Sequence, residues 1–196
     1  MRQLIVATKN KGKALEISTF LAPFDIEVLS LNDLKTLPEI VEDGNSFAEN
    51  AMIKAETICE AVHLPVLADD SGLMIEALDG EPGIYSARYA GDHDDAANNQ
   101  KVIKKLKNVP EGQRQAAFHT VIVGIKPDGG QIMAEGQVNG IMLDTPQGTN
   151  GFGYDPLFFY EPYQKTLAQM SAIEKNKISH RGKALEALAR DFKNWW

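Results

Sequence analysis

The chain has 196 residues, of which 43% are hydrophobic and 24% are charged, a size and balance typical of a single globular domain over residues 1–196. Twenty Lys and Arg residues against 27 Asp and Glu residues leave a net charge of −7, which disfavours a polynucleotide partner. Cys59 is the single cysteine, which excludes an intramolecular disulfide and favours a reducing, cytoplasmic location. No stretch approaches the ~18 apolar residues of a membrane span, so no membrane partner is expected.

The apolar pattern predicts strands that alternate with helices. A β-branched run at residues 4–7 predicts a strand buried on both faces, and the spacing of Ala14, Ile17 and Leu21 predicts a helix that ends before Pro23. The further predicted elements are a strand at 27–31, a helix between Ser46 and Pro65, a strand at 66–68, a helix at 94–107, a hairpin of strands 116–126 and 131–139, and a C-terminal helix. This alternation indicates a mixed α/β fold.

A lysine-rich turn follows the first predicted strand. Its residues are Thr8, Lys9, Asn10, Lys11, Gly12 and Lys13. A helix N-terminus offers backbone N–H groups and a positive dipole to an anion, and lysines add charges that suit phosphate. The turn therefore predicts a phosphate site, although a solvated basic turn has the same composition.

Two adjacent carboxylates, Asp69 and Asp70, are expected at the carboxyl end of a buried strand, where open α/β sheets bind their ligands. Adjacent residues of an extended chain point to opposite sides, so one carboxylate is predicted to face the site and the other to brace a turn. An ionised carboxylate is a hard oxygen ligand for Mg²⁺. The alternative is an Asx-type turn or a helix cap built from Asp70, Ser71 and Gly72.

The segment Thr149–Pro156 combines polar and aromatic side chains with interleaved glycines. Such a loop can close over a flat ligand, with Phe152 stacked on a base. A simple hydrophobic plug is the alternative interpretation of Phe152.

A second basic cluster extends from Lys175 to Lys183 and contains four Lys or Arg residues and one His, without an acidic residue. It could be a solvated helix start capped by Ser179. A second acidic group, Glu39, Glu42 and Asp43, precedes Ser46. Together, however, the two basic clusters and the two acidic groups predict a polyphosphate held by lysines, with a metal ion held by carboxylates.

These segments resemble the inosine triphosphatase family of noncanonical purine nucleoside triphosphate pyrophosphatases, from the first strand to the last helix. The matching motifs are Thr8–Lys13 for T/S-x-N-x-x-K, Ser46–Ala51 for TFxENA, Ala68–Leu73 for ADDSGL, Pro82–Tyr89 for PGIYSARY, Gly151–Pro156 for GFGYDP and Ser179–Gly182 for SHRG.

The resemblance implies a mixed α/β fold with a long sheet flanked by helices, two lobes with a cleft between them, and a homodimer. It implies Mg²⁺-dependent hydrolysis of ITP, dITP and XTP to the monophosphate and pyrophosphate, which cleanses the nucleotide pool. The residues that it implies at the triphosphate or its neighbouring groups are Thr8, Lys9, Asn10, Lys11, Gly12, Lys13, Lys54, Ser71 and Lys175. At the base it implies Phe152, Gly153, Tyr154, Asp155, His180 and Arg181.

The resemblance also assigns Asp70 as the metal ligand and as the group that orients or deprotonates the attacking water. Several members have two glutamates before a Thr-Gly or Asp-Gly pair, whereas this chain has Val41, Glu42, Asp43 and Gly44, with Val41 in place of the first glutamate. Valine cannot bind a metal, so Glu42 is the expected second ligand. Two other functions remain open: a noncatalytic nucleotide-binding regulator, and a pyrophosphatase for another modified nucleotide.

Overall fold

The computed structural model describes residues 2–91 and 94–196, which form seven strands and five α-helices in the described part of the chain. The strands are β1 (Arg2–Val6), β2 (Ile26–Ser30), β3 (Val66–Ile75), β4 (Gln115–Ile125), β5 (Gln131–Met142), β6 (Phe158–Tyr160) and β7 (Lys165–Thr166). The helices are α1 (Lys11–Leu21), α2 (Phe47–Val62), α3 (Asp95–Leu106), α4 (Ala172–Ile178) and α5 (His180–Trp195).

The strands form one mixed sheet in the order β2-β1-β3-β4-β5-β6-β7. β1 pairs in parallel with β2 and β3, whereas β6 pairs antiparallel with β5 and β7. The predicted α/β class, with a sheet and flanking helices, is therefore confirmed. The predicted hairpin is present as β4 and β5, whose connecting turn is closed by the Lys126 N–H donating to the Gly130 carbonyl at 2.9 Å.

The chain divides into two compact units. The first comprises the described chain up to Asp70, Thr120–Gly136 and Arg181–Trp196, and the second comprises Ser71–His119 and Gln137–His180. Each unit has its own apolar core, because buried side chains of α1, β1 and α5 pack together in the first and those of β3, α3 and β5 in the second. No helix of the described residues is long and apolar enough to cross a membrane.

Helix ends follow local chemistry. α1 starts directly after Asn10, whose side chain caps it, and α2 starts directly after Ser46, whose hydroxyl accepts from the Glu49 N–H at 3.1 Å. The predicted helix between Ser46 and Pro65 is present, and it ends at Val62 because His63 adopts a left-handed conformation with φ of 53°. A left-handed residue directly after the last turn is a common helix terminator.

The predicted end of the third strand is wrong. β3 does not stop at Ala68 but continues through the two aspartates to Ile75. Neither Asp69 nor Asp70 therefore braces a turn, and the Asx-turn and helix-cap alternatives are excluded. Buried acids rarely occupy the middle of a strand, but here the charges of neighbouring lysine and arginine side chains compensate Asp69.

Candidate active site

The turn after β1 is organised by its own side chains. The Thr8 hydroxyl accepts from the Asn10 N–H at 3.1 Å, and the Asn10 side-chain oxygen accepts from the N–H groups of Gly12 at 2.9 Å and Lys13 at 3.2 Å. Lys9 and Lys11 are exposed at this turn. The T-x-N spacing thus builds the N-terminus of α1, the local arrangement that favours an anion.

Asp69 lies at the centre of a buried charge network in the first unit. Its Oδ2 is 2.7 Å from the Lys13 Nζ and 3.4 Å from the Arg181 Nε, and the side chains of Asp69 and Arg181 are each 1% exposed. Burial opposes ionisation, but the charges of Lys13 and Arg181 outweigh it and hold the pKa of Asp69 well below its usual range. Arg181 also donates from Nη1 to Glu16 of α1 at 2.6 Å.

Asp70 points into different surroundings, as expected for the next residue of a strand. Its Oδ2 accepts from the Asn50 Nδ2 at 3.3 Å, and its backbone carbonyl accepts from the Thr120 hydroxyl at 3.2 Å. Burial raises the pKa of Asp70 to about 6, and the negative charges of Glu42 and Asp69 add to this while Lys54 and Lys13 oppose it. The raised pKa is typical of a carboxyl group in a functional site.

Lys54 connects Glu42 to the strand that carries Asp69 and Asp70. Its Nζ donates to the Asp69 carbonyl at 3.2 Å and lies 3.2 Å from the Glu42 Oε2. Val41, in contrast, is 58% exposed. Within residues 2–91 and 94–196, no group of three His, Cys, Asp or Glu side chains could hold a metal ion by itself. The two carboxylates Asp70 and Glu42 nevertheless suit Mg²⁺, which is commonly bound by one or two carboxylates together with substrate phosphates and water.

The glycine-rich loop lies in the second unit and is organised around Asp155. The Asp155 Oδ2 accepts from the Phe152 N–H at 2.9 Å and from the Lys175 Nζ at 2.6 Å. The same Lys175 Nζ is 4.5 Å from the centroid of the Phe152 ring, a cation–π distance. Gly151 has a φ of 78°, and a Cβ there would lie 2.0 Å from the Asp155 carboxylate, so a side chain is not tolerated.

Gly153 and Tyr154 of this loop form hydrogen bonds with residues that are distant in the sequence. The Tyr154 hydroxyl donates to the Ser86 carbonyl at 2.8 Å, and burial raises the pKa of this hydroxyl above its usual range. The Gly153 N–H donates to the Asp95 Oδ2 at 2.7 Å. The loop is therefore part of a hydrogen-bonded structure in which Phe152 is half-buried.

The basic segment 175–183 is divided between two helices rather than forming one helix start. Lys175 belongs to α4, and Ser179 separates α4 from α5 with an extended ψ of 155°. His180, the first residue of α5, is 5% exposed, and its ring stacks on that of Phe118 with centroids 4.9 Å apart. The predicted solvated helix start is wrong, because Lys175, His180 and Arg181 are all buried.

Comparison of the sequence with known proteins supports the family resemblance that the motifs indicate. The model of the Ham1 family matches residues 4–191. The chain belongs to the Ham1 family. A dITP/XTP pyrophosphatase of Lactiplantibacillus plantarum is 53% identical over 193 residues, which cover 98% of this chain and 96% of the relative. A dITP/XTP pyrophosphatase of Leuconostoc mesenteroides is 50% identical over 196 residues, with 98% of each chain covered.

Solved Ham1 structures have the same fold. The Staphylococcus aureus Ham1 protein superposes with a TM-score of 0.88 at 39% identity and covers 98% of this chain and 99% of its own. A HAM1 protein from Coxiella burnetii gives a TM-score of 0.89 at 38% identity, with coverages of 99% and 100%. The resemblance drawn from the motifs is thereby confirmed over the whole length of the chain.

The predicted site residues of this Ham1 chain form two groups, one in each unit. The first unit contains Thr8, Lys9, Asn10, Lys11, Gly12, Lys13, Glu42, Lys54, Asp70 and Arg181. The second contains Ser71, Phe152, Gly153, Tyr154, Asp155, Lys175 and His180. In the first unit Lys13 and Arg181 share Asp69 as a partner and Lys54 contacts Glu42, and in the second unit Lys175 contacts Asp155. Lys9 and Lys11 are exposed. The assigned role of each residue stays a prediction.

Four residues beside these groups were not predicted as site residues. Asn50 connects the segment before α2 to β3, because its Oδ1 accepts from the Gly44 N–H at 2.9 Å while its Nδ2 donates to Asp70. The four-residue spacing of Asn50 and Lys54, which places both on one face of α2, was the available signal. Glu16, Asp95 and Asn99 contact Arg181 or Gly153 across long sequence separations, for which the sequence pattern holds no signal.

Proposed function

We propose that this Ham1 protein hydrolyses noncanonical purine nucleoside triphosphates, namely ITP, dITP and XTP, to the nucleoside monophosphate and pyrophosphate. The observation that carries the proposal is the presence, in the same unit, of a buried Asp70 whose charge is partly compensated by Lys54 and Lys13 and of the lysine-rich N-terminus of α1. Full-length relatives that are named dITP/XTP pyrophosphatases support the choice of substrate. The physiological consequence is removal of these nucleotides before they enter DNA or RNA.

The proposed reaction is attack of water on the α-phosphorus, with cleavage of the bond between the α-phosphate and the pyrophosphate. Asp70 orients the water and accepts its proton. Lys13 and Lys54 stabilise the negative charge that develops on the leaving pyrophosphate. The ion pair with Asp69 positions the Lys13 ammonium group for this role. The Asp69 carboxylate also compensates the positive charge of Lys13 while no phosphate is bound.

A magnesium cofactor is part of the proposal. Asp70 and Glu42 are the residues that would hold Mg²⁺, and both are hard oxygen donors beside Lys54. When bound, Mg²⁺ supplies positive charge that neutralises phosphate oxygens and the leaving group. Asn50 orients Asp70 from the side of α2 through its amide nitrogen.

Base selection is assigned to the residues of the SHRG and GFGYDP segments. Hypoxanthine and xanthine present an O6 acceptor that suits donors on His180 and Arg181, whereas adenine presents an amino group there and leaves those donors unpaired. Glu16 and Asp69 hold the Arg181 guanidinium in one orientation. Phe152 provides an aromatic surface for stacking.

The proposal includes a homodimer and the cytoplasmic location that a single cysteine favours.

Pyrophosphate release from ITP, dITP, XTP, dATP and GTP tests the proposal. We expect turnover of the first three, lost on chelation of divalent ions and restored by added Mg²⁺, with Asp70→Asn protein as the control for contaminating activity. Equal turnover of all five nucleotides would argue for a different substrate class. Tight binding of ITP without release of pyrophosphate would identify a noncatalytic regulator instead.

A further inference from the structure

Helix α3 holds both backbone polar groups of one glycine in the glycine-rich loop. The Gly153 N–H donates to the Asp95 Oδ2 at 2.7 Å, and the Asn99 Nδ2 donates to the Gly153 carbonyl at 2.8 Å. The separations along the chain are 58 and 54 residues, and all three residues belong to the second unit. We call Asp95 and Asn99 the α3 clasp.

The two members of the α3 clasp are themselves fixed by the helix. They lie four residues apart and therefore on one face of α3. The Asn99 Nδ2 also donates to the Asp95 carbonyl at 2.8 Å, so one amide group bonds to both the helix and the loop. Hydrogen bonds that involve a carboxylate are shorter and stronger than neutral ones. The loop is thus anchored to a rigid element by at least one strong contact.

The loop needs an external anchor because its backbone is unusually free. Gly151 and Gly153 have φ values of 78° and 60° and flank Phe152 on both sides. Glycine populates both signs of φ with little energetic preference, so a chain with glycine on each side of the aromatic residue can present the ring in many directions. Contacts to the backbone of Gly153 remove that freedom directly next to Phe152.

We propose that Asp95 and Asn99 are positioning residues that set the conformation of Gly153 and thereby the orientation of Phe152 towards the base of the substrate. The inference rests on the proposed function, since it concerns recognition of a nucleotide base by this loop. The α3 clasp contacts neither the reacting phosphates nor the catalytic carboxylate. Its loss should weaken substrate binding in the ground state and the transition state alike, which raises KM and leaves kcat nearly unchanged.

The helix itself offers a matched control. Asp94 caps α3 through the Ala97 N–H at 2.9 Å, so Asp94→Ala weakens the start of the helix without removing a contact to Gly153. Asp95→Ala removes the acceptor of the Gly153 N–H, and Asp95→Asn keeps a side-chain oxygen in the same place. Comparison of the three variants separates helix destabilisation from loss of the loop contact.

Two measurements test the inference. We expect Asp95→Ala to raise KM for ITP about tenfold, the effect of a lost hydrogen bond to a charged group, with kcat changed less than about twofold. For Asp95→Asn we expect a KM much closer to the wild-type value than that of Asp95→Ala. For Asp94→Ala we expect a KM near the wild-type value. In the protein without nucleotide, hydrogen exchange of the Gly153 amide should accelerate in Asp95→Ala only.

The outcomes distinguish the clasp from the proposed function. Unchanged exchange of the Gly153 amide in Asp95→Ala would overturn the inference, as would an equal rise in KM for Asp94→Ala and Asp95→Ala. A fall in kcat without a change in KM would overturn it as well. If the unchanged protein turns over none of the nucleotides, the proposed function fails, and the inference about base recognition fails with it, even when the exchange data support the contact.

Discussion

The buried network around Asp69 predicts that Asp69→Asn lowers the free energy of unfolding far more than the same substitution at Asp144. Asp69→Asn removes a carboxylate that contacts both Lys13 and Arg181, at 2.7 Å and 3.4 Å. The Asp69 and Arg181 side chains are 1% exposed and that of Lys13 is 18% exposed, so water can replace the lost partner at Lys13 only in part and not at Arg181. The substitution thus leaves less compensation for two cations, although Arg181 keeps its ion pair with Glu16.

The expected magnitude follows from burial. Removal of one partner from a buried ion pair costs about 3–5 kcal/mol, because the remaining charge is uncompensated. For a chain of this length we therefore expect the melting temperature to fall by about 10 °C. Asp144→Asn is the matched control. Asp144 is 55% exposed, and the buried Arg114 that it pairs with at 3.1 Å keeps the Val109 carbonyl as an acceptor at 2.9 Å. Because water reaches this pair at Asp144, we expect a loss of only about 1 kcal/mol.

Chemical unfolding of both variants, followed by circular dichroism, measures the difference directly. The free energy of unfolding should fall several times more in Asp69→Asn than in Asp144→Asn. Equal losses below about 1 kcal/mol would refute the reasoning, because they would mean that solvent or another group screens the charges of Lys13 and Arg181. The thermal midpoints of the two variants provide a second measure of the same quantity.

Two further predictions concern single groups of the candidate active site. Asp70→Asn should lower kcat for ITP by at least about 100-fold, the contribution of a general base, while calorimetry shows nearly unchanged nucleotide binding; near-normal kcat would remove Asp70 from this role. Because burial raises the pKa of the Tyr154 hydroxyl, its phenol form should persist at high pH. The folded protein and Tyr154→Phe should therefore show the same tyrosinate absorbance up to about pH 11, and a difference of one titrating tyrosine would contradict this assignment.

Local chemistry explains which elements the sequence predicted well. α1, α3 and the hairpin of β4 and β5 depend on caps, apolar spacing and turn residues that act within a few positions, and their predicted bounds agree with the structure within about three residues. β6, β7 and α4 are short and carry no strong periodic pattern, which explains why the sequence did not predict them.

The third strand shows the limit of this reasoning. Polar residues after an apolar run normally mark the end of a strand, so Asp69 and Asp70 were expected at its end. β3 continues because partners from other elements satisfy these residues, namely Lys13 from α1, Arg181 from α5 and Asn50 from α2. No pattern within the strand reports the presence of those partners.

The sequence alone determined the α/β class, the basic turn after β1 and the motifs that place this chain in the Ham1 family, because each depends on residues that are close together in the chain. Only the tertiary structure decided which charges meet. It pairs Lys13 with Asp69 across 56 positions, Lys175 with Asp155, and Gly153 with Asp95. Electrostatic and hydrogen-bond energies depend on the distance between groups in space and on their burial. The order of residues in the chain specifies neither the distance nor the burial directly.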